Sequence, residues 1–591
     1  QKYIYSLSES YKCMPKTMPK FDAWNPGLRS EIPADLLPRV TLYNVENSDT
    51  DYPTALEAAG YCGLKPQDMT VFKVSRLALH EVLIRVTADF HVLDGPNYEE
   101  LGLNLRSMVD KILTNHVHPK IQELEVAFSS LRSDITKALQ TQLENDVYCK
   151  KNALEENKKP SLFNRLLSQK TTVQVEQKLP ELLALAQWED NLNKTDNPFD
   201  LACYKGLIAV VGGIVGQHGS LLADKDIIVR LASTLVCNSY GSRFLGDLID
   251  PIINEAAELE GYQLLPYQTE PFVMNVKGAS AAGKSTIRPL QRELASRLGV
   301  RWEDFALVSP DYWRKYMLDY DSLGNQFKYA AMLTGQELEI IDKKLDGYMA
   351  QKAKRGQMPH LLIDRFRFDS FESSGTEKTD ERLLSRFGHT VFMFFIITPP
   401  TETVERAWKR GQITGRYKAV DDLLFHNVEA YSGMPQLFLK WVNKYKQKVH
   451  FEFLDNDVPH GNRPKTVAFG WNGKITILDP DCIRRLNSYR KINIDAMRPE
   501  DVYQEASDKD EDLLQTFVER KLNITFLDSL SLKINAQIRD GKCIFETEGF
   551  LKDNDLETVI CAPDADISQS TRENNELLMS KFDSEFEKSF T

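Results

Sequence analysis

Cysteine is sparse in this chain: eight residues (Cys13, Cys62, Cys149, Cys203, Cys237, Cys482, Cys543 and Cys561) are scattered through 591, with no paired-ligand spacing. That excludes a disulfide-dense scaffold and a cysteine-based zinc site, and it fits reduced thiols in a cytoplasmic setting. A basic excess is also lacking. Lys and Arg total 73 against 85 for Asp and Glu, a net charge of -12, which argues against a nucleic-acid partner held by broad phosphate neutralisation. No clean hydrophobic run reaches spanning length. The least polar stretch, residues 206–223, contains five glycines, Gln217 and His218 and is expected to be a buried helix or hairpin, with no integral membrane segment. His116 and His118 stand two apart without an evident third ligand, so surface or packing roles are expected of them. The chain opens at Gln1 without Met, a charged n-region or an apolar core, as an internal fragment would.

What is present is enough sequence for two to four domains. Residues 1 to about 51 are rich in Pro, Asn and short apolar runs and are expected to wrap another surface irregularly. From 66 to 143, from 175 to 188 and from 226 to 260, apolar residues recur at three- and four-residue spacing, the period of packed amphipathic helices. Residues 1–262 are therefore expected to form a mainly helical N-terminal domain, interrupted by a charged break near 150–159 and closed by Gly261 and Pro266. From 263 to 465, short apolar strands alternate with helical patterns, as in a parallel sheet flanked by helices. Residues 466–567 begin with a hairpin at about 467–478 turning on Asn472-Gly473, after which helices are expected through about Ser531. The tail from 568 to 591 is polar, rich in Glu and Ser, and expected to be disordered.

The chemistry centres on GASAAGKST, Gly278 to Thr286, which follows the apolar run Phe272 to Val276 and precedes a helical pattern from Ile287 to Leu298. A strand, a glycine-rich turn and a helix N-terminus together point backbone N–H groups at phosphate oxygens. Gly278, Ser280, Ala282, Gly283, Lys284, Ser285 and Thr286 are the expected nucleotide-binding residues. Lys284 is positioned to reach the β and γ phosphates of ATP, and Ser285 to ligate magnesium. A packing-only turn would leave Lys284, Ser285 and Thr286 without a purpose.

Three further groups fall where open α/β sheets place their ligands, just past strand ends. Asp311 follows the apolar Phe305 to Val308 and suits a base near an acceptor hydroxyl, the other reading being a helix N-cap. Asp364 closes Leu361 to Ile363 like a Walker-B ending and is expected at the magnesium, unless it pairs with Arg365 or Arg367. The uniformly apolar TVFMFFII is followed by Arg406 and Arg410, four apart on one helical face, and by Arg416 after an expected Gly411 to Gly415 hinge. Such a lid brings guanidinium groups over a transferring phosphoryl. A solvated basic face paired with Glu402 and Glu405 is the plainer alternative.

In GASAAGKST, SPDYWR, ITPPTETVERAWKRGQITGR, FHNVEAYSGMPQLF and FEFLDND, in that order between about residues 272 and 458, the chain resembles the zeta-toxin-like P-loop kinases. The resemblance implies an α/β P-loop kinase core using ATP and Mg2+. It also implies Asp311 as base, Arg406, Arg410 and Arg416 on the phosphates, and a small hydroxyl-bearing acceptor such as a nucleotide sugar. Two positions depart from that pattern: His426 is followed by Asn427 where the family shows His-Asp, and Asp364 is followed by Arg365. Both put the acceptor in question more than the nucleotide. The helical N-terminal domain is absent from minimal toxins and is expected to supply specificity or bind a protein partner. The tail resembles export signals of bacterial effectors injected into a host cytosol, a plain solubilising tail being the alternative. Two functional classes stay open: a phosphotransferase, acting on a small molecule or a protein side chain, and a nucleotide-switched binding module.

Overall fold

The computed structural model describes residues 21–95, 98–151, 179–365, 384–443, 446–459, 461–504, 513–547 and 549–556. The tail from 568, most of the charged break, the loop at 373–379 and Arg367 lie outside them.

The N-terminal part is helical, as its periodicity requires. Its helices are α1 (Tyr52–Cys62), α2 (Val74–Asp89), α3 (Tyr98–Lys111), α4 (Ile121–Leu143), α5 (Pro180–Leu192), α6 (Pro198–His218), α7 (Lys225–Val236) and α8 (Ser242–Glu260). Local chemistry sets several ends. The Asp51 side chain accepts from the Thr54 N–H at 2.9 Å to open α1, and Gly63, at φ 68°, closes it in the left-handed conformation. Helix α6 is long and apolar enough to cross a membrane, and the structure shows what its glycines do. A Cβ on Gly213 would lie 1.8 Å from the Cys62 carbonyl oxygen, and one on Gly206 would lie 2.9 Å from Val236. They let α6 pack backbone-close on α1 and α7.

The remainder is built on one ten-stranded mixed sheet with strand order β10-β9-β8-β7-β6-β5-β4-β1-β3-β2. Strands β1 (Phe272–Gly278), β2 (Phe305–Val308), β3 (His360–Asp364), β4 (Thr390–Ile397) and β5 (Lys448–Asp455) run parallel. All eight residues of β4 are buried, as expected of a strand covered on both faces. Helices flank these strands: α9 (Arg288–Arg297), α10 (Gly335–Lys354), α11 (Pro400–Thr414) and α12 (Val420–Val442). The α/β class is thus present, and the sheet is larger than the periodicity suggested. The Asn472-Gly473 hairpin forms β6 (Lys465–Trp471) and β7 (Lys474–Ile477), with β6 antiparallel to β5, so the C-terminal region prolongs the same sheet. Helices α13 (Pro480–Tyr489) and α14 (Leu513–Glu519) follow.

Ser531, expected in a helix, lies instead between β8 (Asn523–Leu527) and β9 (Ile534–Arg539), and β10 (Lys542–Glu546) completes the sheet. These strands are short, and β8 pairs parallel to β7. That non-local contact leaves little periodic trace in the chain.

Helix α2 joins the two parts. It is buried from Arg76 through Ala88, on every face and not along the single amphipathic stripe its spacing suggested. Arg76 donates to both carboxylate oxygens of Glu337 on α10, at 2.6 and 2.7 Å, and His80 contacts the same carboxylate at 2.7 Å. Residues 21–30 form the expected irregular wrap. Ala23 packs among Val404, Ala407 and Val420, Trp24 donates its indole N–H to Glu405 at 3.2 Å, and the Ser30 hydroxyl bonds Asp421.

Candidate active site

Strand β1 ends at Gly278, and the chain turns through residues 279–283 into a 3-10 turn at Lys284–Ile287 before α9 begins. Two turn residues adopt positive φ, Ala281 at 62° and Gly283 at 90°. Gly283 is required twice, since a Cβ there would also lie 2.4 Å from the Asn456 side chain. The Ala282 carbonyl accepts from the Asn456 amide at 2.7 Å and from the Thr398 hydroxyl at 2.9 Å. Residues just past β5 and β4 therefore pin the loop from below. Asn456 and Thr398 were not singled out in the sequence. Their position immediately after apolar strands was the available signal.

Lys284 folds back over the turn, its Nζ donating to the carbonyls of Gly278 (3.2 Å) and Ala279 (3.1 Å). Burial lowers its pKa, and the nearby Asp364 and Asp311 carboxylates oppose that shift. Ser280, Gly283, Ser285 and Thr286 line a cavity of about 1500 Å³ with Lys284. Gly278 and Ala282 are buried beneath the turn.

The other candidates converge on the same cavity. Asp311, Asp364, Arg406, Arg410 and Arg416 all line it. Asp311 lies in the first turn of a short 3-10 helix, Pro310–Trp313, whose N-cap position belongs to Ser309. Its carboxylate takes Arg314 at 3.0 Å and Arg416 at 2.7 Å while its side chain stays 45% exposed to the cavity. Burial pushes its pKa up, but Arg416 and Arg314 together outweigh burial and hold the carboxyl well below the usual carboxylate range.

Asp364, at the end of β3, approaches Arg288 at only 3.9 Å. Arg365 turns away from it to Asp342 (3.0 Å) and Asp346 (2.7 Å) on α10. Arg406 donates to the carbonyl of Asn456 at 2.7 Å and lies 3.9 Å from Glu402. Arg410 acts electrostatically on Lys284, Asp311 and Lys418. The expected hinge is narrower than Gly411 to Gly415. Gly411 is inside α11, where a Cβ would lie 2.4 Å from the Tyr417 ring, and only Gly415, at φ 75°, breaks the helix.

The departures at His426 and Asn427 separate into two roles. Asn427 is buried and fastens α12 to α11 through Thr403 at 2.8 Å. His426 faces the cavity, and Lys418 donates to its Nδ1. Burial first, then Lys418 and Lys284, push its pKa down to about 2, so the ring is neutral. Burial lowers Lys418 to about 8. Among the described residues no cluster of His, Cys, Asp or Glu is arranged as a metal site by itself, and His116 instead meets Glu260 at 3.4 Å.

No protein-family model and no curated protein matches the chain. Among solved structures, a chain from the PezAT chromosomal toxin–antitoxin system of Streptococcus pneumoniae is similar over 43% of this chain and 88% of that one. The identity is 15% and the TM-score 0.24. A score so low carries no inference about what this chain does. The reading of the cavity rests on its own geometry.

Proposed function

We propose that the chain is an ATP-dependent phosphotransferase that moves the γ-phosphoryl group to a hydroxyl of a small acceptor such as a nucleotide sugar. The observation that carries this reading is the Arg416–Asp311 pair at 2.7 Å on the wall of the cavity that also holds the Lys284 turn. A lid arginine and a candidate base thereby meet beside a phosphate cradle.

In the proposed reaction Lys284, Arg410 and Arg416 gather on the phosphates, and Asp311 holds the acceptor hydroxyl. The acceptor oxygen bonds to the γ-phosphorus, the bond to the bridging oxygen breaks, ADP leaves, and the hydroxyl proton passes to Asp311. While both arginines hold it, Asp311 is a weak base. Transfer of Arg416 from Asp311 to the developing phosphoryl charge raises the basicity of the carboxylate at the step that needs it.

Ser285 and Asp364 fit a magnesium ion: both line the cavity, and among the described residues the Asp364 carboxylate has only the 3.9 Å approach of Arg288 as an ion pair. Magnesium there would neutralise phosphate charge. A cytoplasmic location, including a host cytosol reached as an effector, accords with this chemistry.

The test is to incubate the protein with magnesium-ATP and metabolite extracts and to search by mass spectrometry for the gain of one phosphoryl group on small molecules and proteins. A labelled small hydroxyl compound is the expected result. A labelled protein side chain would move the acceptor class. ATP bound with no product anywhere would replace the reading by a nucleotide-switched binding module.

A further inference from the structure

Helix α3 belongs to the N-terminal helical part, yet its Glu99 lines the same cavity. Glu99, Gly102 and Arg106 fall at i, i+3 and i+7 and so share one face. Arg106 donates to the Tyr312 carbonyl at 3.3 Å. A Cβ on Gly102 would lie 2.6 Å from the Tyr312 ring. The helix therefore lies flush against the residue that follows Asp311. Tyr316 contacts Asp110 at 3.4 Å, one turn further along.

Glu99, at the leading end of this face, lines the cavity with Asp311, Arg314 and Arg416. Among the described residues its carboxylate makes no hydrogen bond or ion pair. Its electrostatic neighbours are Arg106 and Lys315, and Lys315 in turn feels Arg416. Glu99 is thus tied by charge to the Asp311–Arg416 pair through Lys315. A carboxylate with both oxygens open at a cavity wall accepts hydrogen bonds from hydroxyl groups. The open pair of oxygens matches two neighbouring hydroxyls.

We infer that the N-terminal helical part completes the acceptor site, with Glu99 as the specificity residue that accepts hydrogen bonds from a vicinal diol of the acceptor. The inference rests on the phosphotransferase reading and adds to it the α3 wall and what that wall recognises. Asp311 holds the reacting hydroxyl, and Glu99 selects an acceptor whose neighbouring hydroxyls reach the α3 face. Glu99 takes no part in bond making.

The test uses the full chain with radiolabelled γ-phosphate ATP and a panel of sugars, polyols, sugar phosphates and nucleotide sugars. Each is paired with its deoxy analogue, and the proteins compared are wild type, Glu99→Gln and Glu99→Ala. In the wild type the diol acceptor is expected to outperform its deoxy analogue by about 10- to 100-fold in kcat/KM, the range for a hydrogen bond to a charged group. In Glu99→Ala that ratio is expected to collapse towards one through a rise in KM. ATP affinity and acceptor-independent ATP hydrolysis remain at wild-type levels in both variants, which also shows that they fold.

An unchanged diol-to-deoxy ratio in Glu99→Ala overturns the role of Glu99 and leaves the phosphotransferase reading standing. A wild-type protein that binds ATP but labels no hydroxyl compound overturns both together.

Discussion

The two ends of the cavity are assembled in different ways. On the proposed phosphotransferase reading, the donor end is almost one stretch of chain: residues 278–286 form a tight turn, and Asn456 and Thr398 only brace it from below. The acceptor end is a meeting of distant segments. Asp311 follows β2, Arg416 and Lys418 follow α11, His426 is on α12, and Glu99 arrives from the helical part. A phosphate cradle needs mainly backbone N–H groups in fixed geometry, which a short loop can supply. Selecting an acceptor needs side chains facing one another across a gap, which only tertiary structure can provide.

The largest effect is expected at Lys284. Lys284→Ala is expected to lower phosphoryl transfer by at least about 10³-fold and to weaken ATP binding as well, because the lost charge serves ground state and transition state alike. Calorimetry and γ-phosphate transfer assays measure the two losses, and a variant that still turns over ATP would remove the donor end as drawn. Asp311→Asn should separate the ends. Transfer is expected to fall by about 10²- to 10⁴-fold with ATP affinity nearly unchanged, and equal activity in that variant takes Asp311 out of the mechanism.

The next two outcomes concern how the acceptor end is supported. Glu337 is fully buried against Arg76 and His80, so Glu337→Ala leaves a buried guanidinium without its partner. A loss of about 3–5 kcal/mol in unfolding free energy is expected by urea titration. A loss below about 1 kcal/mol would mean that α2 and α10 are joined mainly by apolar packing.

The smallest effect is a pH slope. Burial first, then Lys344, lowers the pKa of His80 from 6.5 to about 4, so the folded protein refuses a proton that the unfolded chain takes. Stability from this group is complete above the unfolded value and falls as pH drops from 6.5 towards about 4, by about 1.4 kcal/mol per pH unit. His80→Gln should flatten that part of the profile, and an unaltered slope assigns it to other groups, His360 and His450 among them, both also lowered to about 4.

Legibility followed the same division. The Gly278 to Thr286 turn, the apolar β4 and the Asn472-Gly473 hairpin each announce themselves through local patterns. Asp311 and the lid arginines could be located by their place after strands. Their mutual pairing could not be read, because it depends on how α11 ends at Gly415 and where β2 lies across the sheet. The expected Gly411 hinge missed because the glycine serves a contact with Tyr417 that no local pattern reports. Strands β8 to β10 were missed because they are short, and β8 takes its place beside β7 through a parallel pairing across an intervening segment.

By itself, the amino-acid sequence determined the glycine-rich turn at Gly278 to Thr286, the helical character of most of the described residues between Tyr52 and Glu260, and the alternation that makes an α/β sheet. These are set by backbone conformational preference and by the spacing of apolar residues, which act within a few positions. The tertiary structure alone decided that the C-terminal strands extend the same sheet, that Arg416 closes on Asp311, and that α3 brings Glu99 to the cavity. These depend on pairings such as Lys474 with Asn523 and Arg416 with Asp311, whose geometry follows from the packing of whole elements and leaves no local mark in the chain.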